Sequence, residues 1–237
     1  MVDEPSGNHN YYTEMSQDPD IRAKIFKRVK ELSPKTALFL NDYGIITNNN
    51  NRFPLYQQLI RELLAAGAPI DGIGLQAHLH LDRVNPVEFK ERIEILHQEF
   101  GIPIWITEFD WNEEGIAADP EKLKLGRELE DFYRVMFSLE GVEGIMMWGF
   151  QRDYFSLVEN DLTPNKAGEA YIRLFHEEWR SNMVVPGEQN QFDFRGFRGD
   201  YAISILSGDG VLVDDLRFTV DQDTELTCTL TNGQLTC

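Results

Sequence analysis

PIWITEFDW, residues Pro103 to Trp111, is an apolar run that ends in charge. Its isoleucines and aromatics favour an extended strand. Gly101 just before it stops a helical pattern that opens at Asn85-Pro86, an N-cap followed by proline at the first helical position. A long helical pattern follows, from about residue 120 to 139. A carboxylate at the end of a buried strand is costly to desolvate unless something pairs with it or uses it. Glu108 is therefore the first candidate for function, and Asp110, two residues on, is its neighbour on the strand.

The same alternation extends in both directions. A helix is expected at 20–32, a strand at TALFLND, a helix near 53–66 ended by Gly67, and a strand at IDGIGLQAHL. Beyond the long helix come a strand at VEGIMMWGF and a last helix at about 165–180. Short apolar strands alternating with helices are βαβ units on a parallel sheet. Four such units fit either a small doubly wound sheet or half of a (β/α)8 barrel. The strand ends favour the barrel. They carry Asn41-Asp42-Tyr43, then Gln76, His78 and His80, then Glu108 and Asp110, then Trp148. Barrel enzymes collect site residues from several strand ends on that face, whereas a doubly wound sheet gathers its ligand at one switch point. GIGLQ lies inside a strand and lacks the spacing of a dinucleotide loop.

The chain has 237 residues and a net charge of -18. That charge argues against nucleic acid, which needs basic patches, and against anionic membranes; a neutral sugar is compatible with it. No run of 18 apolar residues signals a membrane span. MVDEPSGNHN at the start has no signal-peptide pattern.

Two domains are expected, 1–182 and 183–237, with VPGEQNQ as the linker. The second alternates hydrophobic and polar residues between Gly and Asp turns, the pattern of a small antiparallel, sandwich-like β module. Its end, CTLTNGQLTC, centres on Asn232-Gly233, a strong hairpin signal. Counting outward pairs Thr231 with Gln234, Leu230 with Leu235, Thr229 with Thr236 and Cys228 with Cys237. The cysteines then face each other at a non-hydrogen-bonded position, where a disulfide fits. That bridge implies an oxidising, extracellular setting; two free thiols are the competing reading.

A carboxylate at a barrel strand end, flanked by aromatics, suits glycoside hydrolysis. That chemistry needs two carboxylates across the scissile bond and no cofactor. Gln76 and Asn41 are candidates for binding sugar hydroxyls, Trp148 for stacking on a sugar ring, and His78 for donating to Glu108. The competing readings are a surface ion pair for Glu108 and a satisfied core imidazole for His78. His78 and His80 share a strand face, but no third metal ligand accompanies them.

Taken together, LFLNDYGI, IDGIGLQAHL, IWITEFD, GIMMWGF and NKAGEAYIRLFHEEWRS resemble the fifth to eighth strands and last helix of glycoside hydrolase family 10, the endo-β-1,4-xylanases. FDFRGFRGDYAISI resembles an extension of the plant and animal branch. The resemblance implies the C-terminal half of a (β/α)8 barrel, strands five to eight, followed by the β module. It implies Glu108 as nucleophile, His78 as its partner, and Gln76 and Trp148 as site lining. The acid/base falls to Glu4, where Asp3 stands in place of the family's Asn. The loop after the eighth strand lacks the family's second Trp, and Tyr154 or Phe155 is the candidate replacement. The expected partner is a β-1,4-linked polysaccharide, xylan first, with cellulose and mixed-linkage glucan open. A glycan-binding protein without catalysis is the rival reading. Open barrel edges also suggest self-association.

Overall fold

The computed structural model describes residues 11–46, 51–80, 85–112, 120–151, 156–186, 195–221, 225, 227–231 and 234–236. The chain falls into two compact units, Met1–Tyr171 and Ile172–Cys237. The sequence reading had set the boundary after residue 182.

The first unit opens with a short helix, α1 (Tyr11–Ser16), then α2 (Ile21–Leu32), β1 (Phe39–Tyr43), α3 (Arg52–Ala65), β2 (Gly72–Gln76) and β3 (His78–His80). It continues with α4 (Pro86–Phe100), β4 (Ile104–Asn112), α5 (Pro120–Ser138), β5 (Val142–Met147) and α6 (Lys166–Ile172). The stop and start signals act as expected. Asn85 Oδ1 accepts from the Val87 amide at 3.0 Å, and Gly101 closes α4 at φ 60°.

All the pairings in this sheet are parallel. β1 pairs with β2, β2 and β3 pair with successive parts of β4, and β4 pairs with β5. Each βα unit thus lies beside the next unit in the chain. A doubly wound sheet reverses direction at a switch point; this one runs round in a single sense, as a barrel wall does. IDGIGLQAHL, expected as one strand, breaks at Ala77 into β2 and β3.

One face of the sheet is packed beneath helices. Leu40, Ile73, Leu75, Ile104, Ile106 and Phe109 are buried there. Tyr56, Ile60 and Leu63 of α3, Phe89, Ile93 and Leu96 of α4, and Phe132, Tyr133 and Met136 of α5 complete the core. Each large side chain buried in this way contributes about 1.5–3 kcal/mol. The buried Tyr56 hydroxyl donates to Leu40 O at 2.7 Å and lies 3.2 Å from Gly74 O, which ties β1 to β2. Burial pushes its pKa well above the ordinary tyrosine value, so the phenol stays a donor.

The other face is half-exposed and alternates large and absent side chains. Phe39 and Trp105 meet edge to face at 5.6 Å. Glycines on the intervening and outer strands make room for them. A Cβ added at Gly72 would lie 2.1 Å from the Phe39 ring, and one at Gly144 would lie 2.5 Å from the Trp105 ring. Barrel interiors fill in this way, in layers drawn from alternate strands.

In the second unit the last helix changes register. Arg173–Glu178 form a π-helical segment, and the Trp179 amide bonds Leu174 O at 2.9 Å, five residues back. Two antiparallel hairpins follow, β6 (Gly199–Leu206) with β7 (Leu212–Val220) and β8 (Thr229–Thr231) with β9 (Gln234–Thr236). The second has the expected register, Thr229 opposite Thr236 and Thr231 opposite Gln234. Cys228 is disulfide-bonded. Cys237, the chain's other cysteine, lies outside the described residues.

Candidate active site

A β-bulge shapes the end of β4. Ile73–Leu75 face Ile104–Ile106, while His78 faces Asp110, so β4 has gained one residue on its partner in between. The same extra residue shows against β5, between Ile106 and Phe109. Strand side chains normally alternate between faces. The bulge suspends that rule and turns both Thr107 and Glu108 toward Asn41. Thr107 Oγ1 donates to Asn41 Oδ1 at 2.7 Å, and Asn41 Nδ2 donates to Glu108 Oε1 at 3.2 Å. The core-side alternation resumes at the buried Phe109 and Trp111.

Glu108 is thus no surface ion pair. Its side chain is 17% exposed, and both of its oxygens face polar groups. His78 Nε2 lies 3.2 Å from Glu108 Oε2, and His78 Nδ1 lies 2.8 Å from Asp110 Oδ1. A neutral imidazole has one N–H and can satisfy only one of these carboxylates; the imidazolium satisfies both. The hydrogen bond to Asp110, first, and then the charges of Asp110 and Glu108 raise the His78 pKa against the opposing effect of burial. Trp148, 41% exposed, stands edge-on to the His78 ring at 6.2 Å. Gln76 is buried at the end of β2.

The structure brings Asn41, His78, Glu108 and Trp148 together, with Gln76 at the neighbouring strand end. Glu4, Tyr154 and Phe155 lie outside the described residues. Asn41, read as a binder of sugar hydroxyls, donates from its amide to Glu108. Thr107 was missed, because nothing in ITEFD signals a bulge; the adjacent Thr-Glu pair at a strand end was the available clue.

Chemically, the site holds a carboxyl group between Asn41 and His78, beside an exposed indole, at the carboxyl ends of parallel strands. That is a βα-barrel protein with a carboxylate-centred site. The chain belongs to glycosyl hydrolase family 10, whose sequence model matches residues 9–170. It is similar to endo-1,4-beta-xylanase 2 of Arabidopsis thaliana, 33% identical over 86% of this chain and 19% of that protein. It is similar in structure to TsXylA, an intracellular xylanase of Thermoanaerobacterium saccharolyticum, with a TM-score of 0.62 and 27% identity over 71% of this chain and 54% of that one. A variant of TsXylA in complex with xylotetraose matches with a TM-score of 0.58 at 27% identity, over 64% of this chain and 49% of that one. The chain therefore spans about a fifth of the plant relative and about half of the bacterial one. Its first unit is the C-terminal half of a (β/α)8 barrel.

Proposed function

We propose that this chain carries the nucleophile half of a retaining endo-β-1,4-xylanase. The observation that supports it is Glu108 itself, set on a bulged strand end and held by Asn41 and His78. The carboxylate attacks the anomeric carbon while a second carboxyl group protonates the departing oxygen. Water then breaks the glycosyl ester, and the second carboxylate takes its proton. The candidate for that group is Glu4. In a retaining enzyme the two carboxyls stand about 5–5.5 Å apart. Trp148 offers a stacking face to a sugar ring, and Gln76 lines the floor. The substrate is a β-1,4-linked xylan, in keeping with the xylanases this chain resembles. The disulfide at Cys228 supports secretion into an oxidising compartment. β1 and β5, the outer strands of the sheet, are the edges at which the chain would meet the rest of a barrel or a second copy.

Reducing-sugar release from xylan and from carboxymethylcellulose tests the reading. Release from xylan that disappears in Glu108→Gln is the expected result. Release from carboxymethylcellulose alone would move the substrate to a glucan. No release from either polymer would overturn catalysis by this chain and leave the glycan-binding alternative.

A further inference from the structure

We propose that Thr107 is a positioning residue which, with Gly74, locks the Asn41 amide so that its NH2 group always faces Glu108. An asparagine side chain has nearly the same shape when its amide is turned over, but its donor and acceptor exchange places. Turned over, Asn41 Oδ1 would confront the Glu108 carboxylate, acceptor against acceptor. In the observed orientation Thr107 Oγ1 donates to Oδ1 at 2.7 Å, and Nδ2 donates to Glu108 at 3.2 Å. The β4 bulge is what allows two consecutive residues to grip the same amide from one side. Gly74, paired with Asn41 across the β1–β2 ladder, closes the other side. A Cβ there would lie 2.7 Å from Asn41 Oδ1 and 3.0 Å from Asn41 Cβ. Bare backbone at Gly74 therefore lets Asn41 lie flat against β2 and reach β4.

The lock has a consequence for the reaction, which rests on the function proposed above. Glu108 loses its charge when it forms the glycosyl ester. The uncharged ester oxygen then accepts from the amide more weakly than the carboxylate did, whereas the Thr107 hydroxyl holds it as before. In the second step water attacks the anomeric carbon, the bond from that carbon to the Glu108 oxygen breaks, and the electron pair returns to Glu108. The proton of the water passes to the second carboxylate. A donor already aimed at Glu108 stabilises the returning charge without reorganisation. Thr107 thus serves the breakdown of the intermediate more than its formation.

The test compares Thr107→Val, which keeps the shape and removes the hydroxyl, with Thr107→Ser, which restores the hydroxyl. The first readout needs no activity. Hydrogen exchange of the Asn41 side-chain NH2, followed by NMR in the unliganded chain, is expected to quicken about tenfold in the Val variant and to return toward wild type in the Ser variant, the size expected for one lost hydrogen bond. Gly74→Ala, which displaces Asn41, is expected to quicken it as well. Equal exchange in wild type and Thr107→Val would overturn the lock, whether or not the chain hydrolyses xylan. The second readout uses an aryl β-xylobioside. The Val variant is expected to keep a burst of about one equivalent of the phenol while steady-state kcat and KM both fall about tenfold. An unchanged kcat with a raised KM would overturn the assignment to the second step. A wild-type chain without turnover would count against the proposed function, and the exchange experiment would still decide the lock.

Discussion

The barrel unit has a core of fully buried large side chains, Trp111, Tyr56, Tyr133, Phe89 and Phe109 among them. In the hairpin β6–β7 of the second unit no residue is buried; its side chains alternate between half-exposed and exposed. Tyr201 and Phe218 do stack across that hairpin at 5.8 Å, but near solvent. The first region is held by contacts between elements far apart in sequence. The second is held by ladders between neighbouring strands and by a disulfide. The difference teaches that one chain contains two kinds of order, one set by interior packing and one by local pairing, and that equal substitutions should have unequal effects in them.

The largest difference is expected from truncation. Trp111→Ala should cost about 3–5 kcal/mol in denaturant unfolding, since it removes a fully buried indole. Phe218→Ala should cost about 1 kcal/mol, the ordinary size for a substitution outside a tight core. Equal costs would break the comparison. Added bulk gives the next effect. Gly144→Ala drives a methyl group into the Trp105 ring and should cost about 1–3 kcal/mol. At Gly208 a Cβ meets nothing within 4 Å, and Gly208→Ala should stay within about 0.5 kcal/mol of wild type in the same assay.

A smaller effect concerns pH. The folded-state pKa of His78 is raised above the ordinary 6.5, chiefly by its bond to Asp110. Stability from that pairing is fully present below 6.5 and is lost as pH rises through the raised value. The thermal stability lost in Asp110→Asn should therefore be greater at pH 5.5 than at pH 9. A loss of equal size at both would remove the imidazolium from the account. The smallest effect is reduction of the disulfide at Cys228. It should loosen the β8–β9 hairpin in amide exchange while shifting the barrel's melting temperature by less than about 1 °C, far below the shift that a kilocalorie of destabilisation gives.

Legibility in the sequence follows the same division. The hairpin at the C-terminus could be counted outward from Asn232-Gly233, because a two-residue turn fixes register by itself. The parallel strands could be found from apolar runs between helix caps, and their polar ends picked out Glu108, His78 and Asn41. Features that depend on several strands at once were not legible. The break at Ala77 and the bulge at Thr107–Glu108 belong to the β4 ladder, not to either segment alone. Gly74 and Gly144 gave no sign of the side chains that lie across them. The π-helical stretch Arg173–Glu178 read as ordinary helix, since its periodicity differs from 3.6 for barely one turn. Helix α1 was too short to stand out.

The sequential strand order also bears on how the site comes into being. Each parallel strand pairs with a neighbour only about thirty to forty residues away along the chain. Closing loops of that length costs little more than closing shorter ones, and chains are made from the N-terminus forward. The wall can then lengthen one unit at a time as the ribosome delivers it. Glu108 arrives with β4 and finds Asn41 and His78 already waiting on β1 and β3. Trp148 comes only with β5, so the exposed indole is the last of these side chains to reach this face.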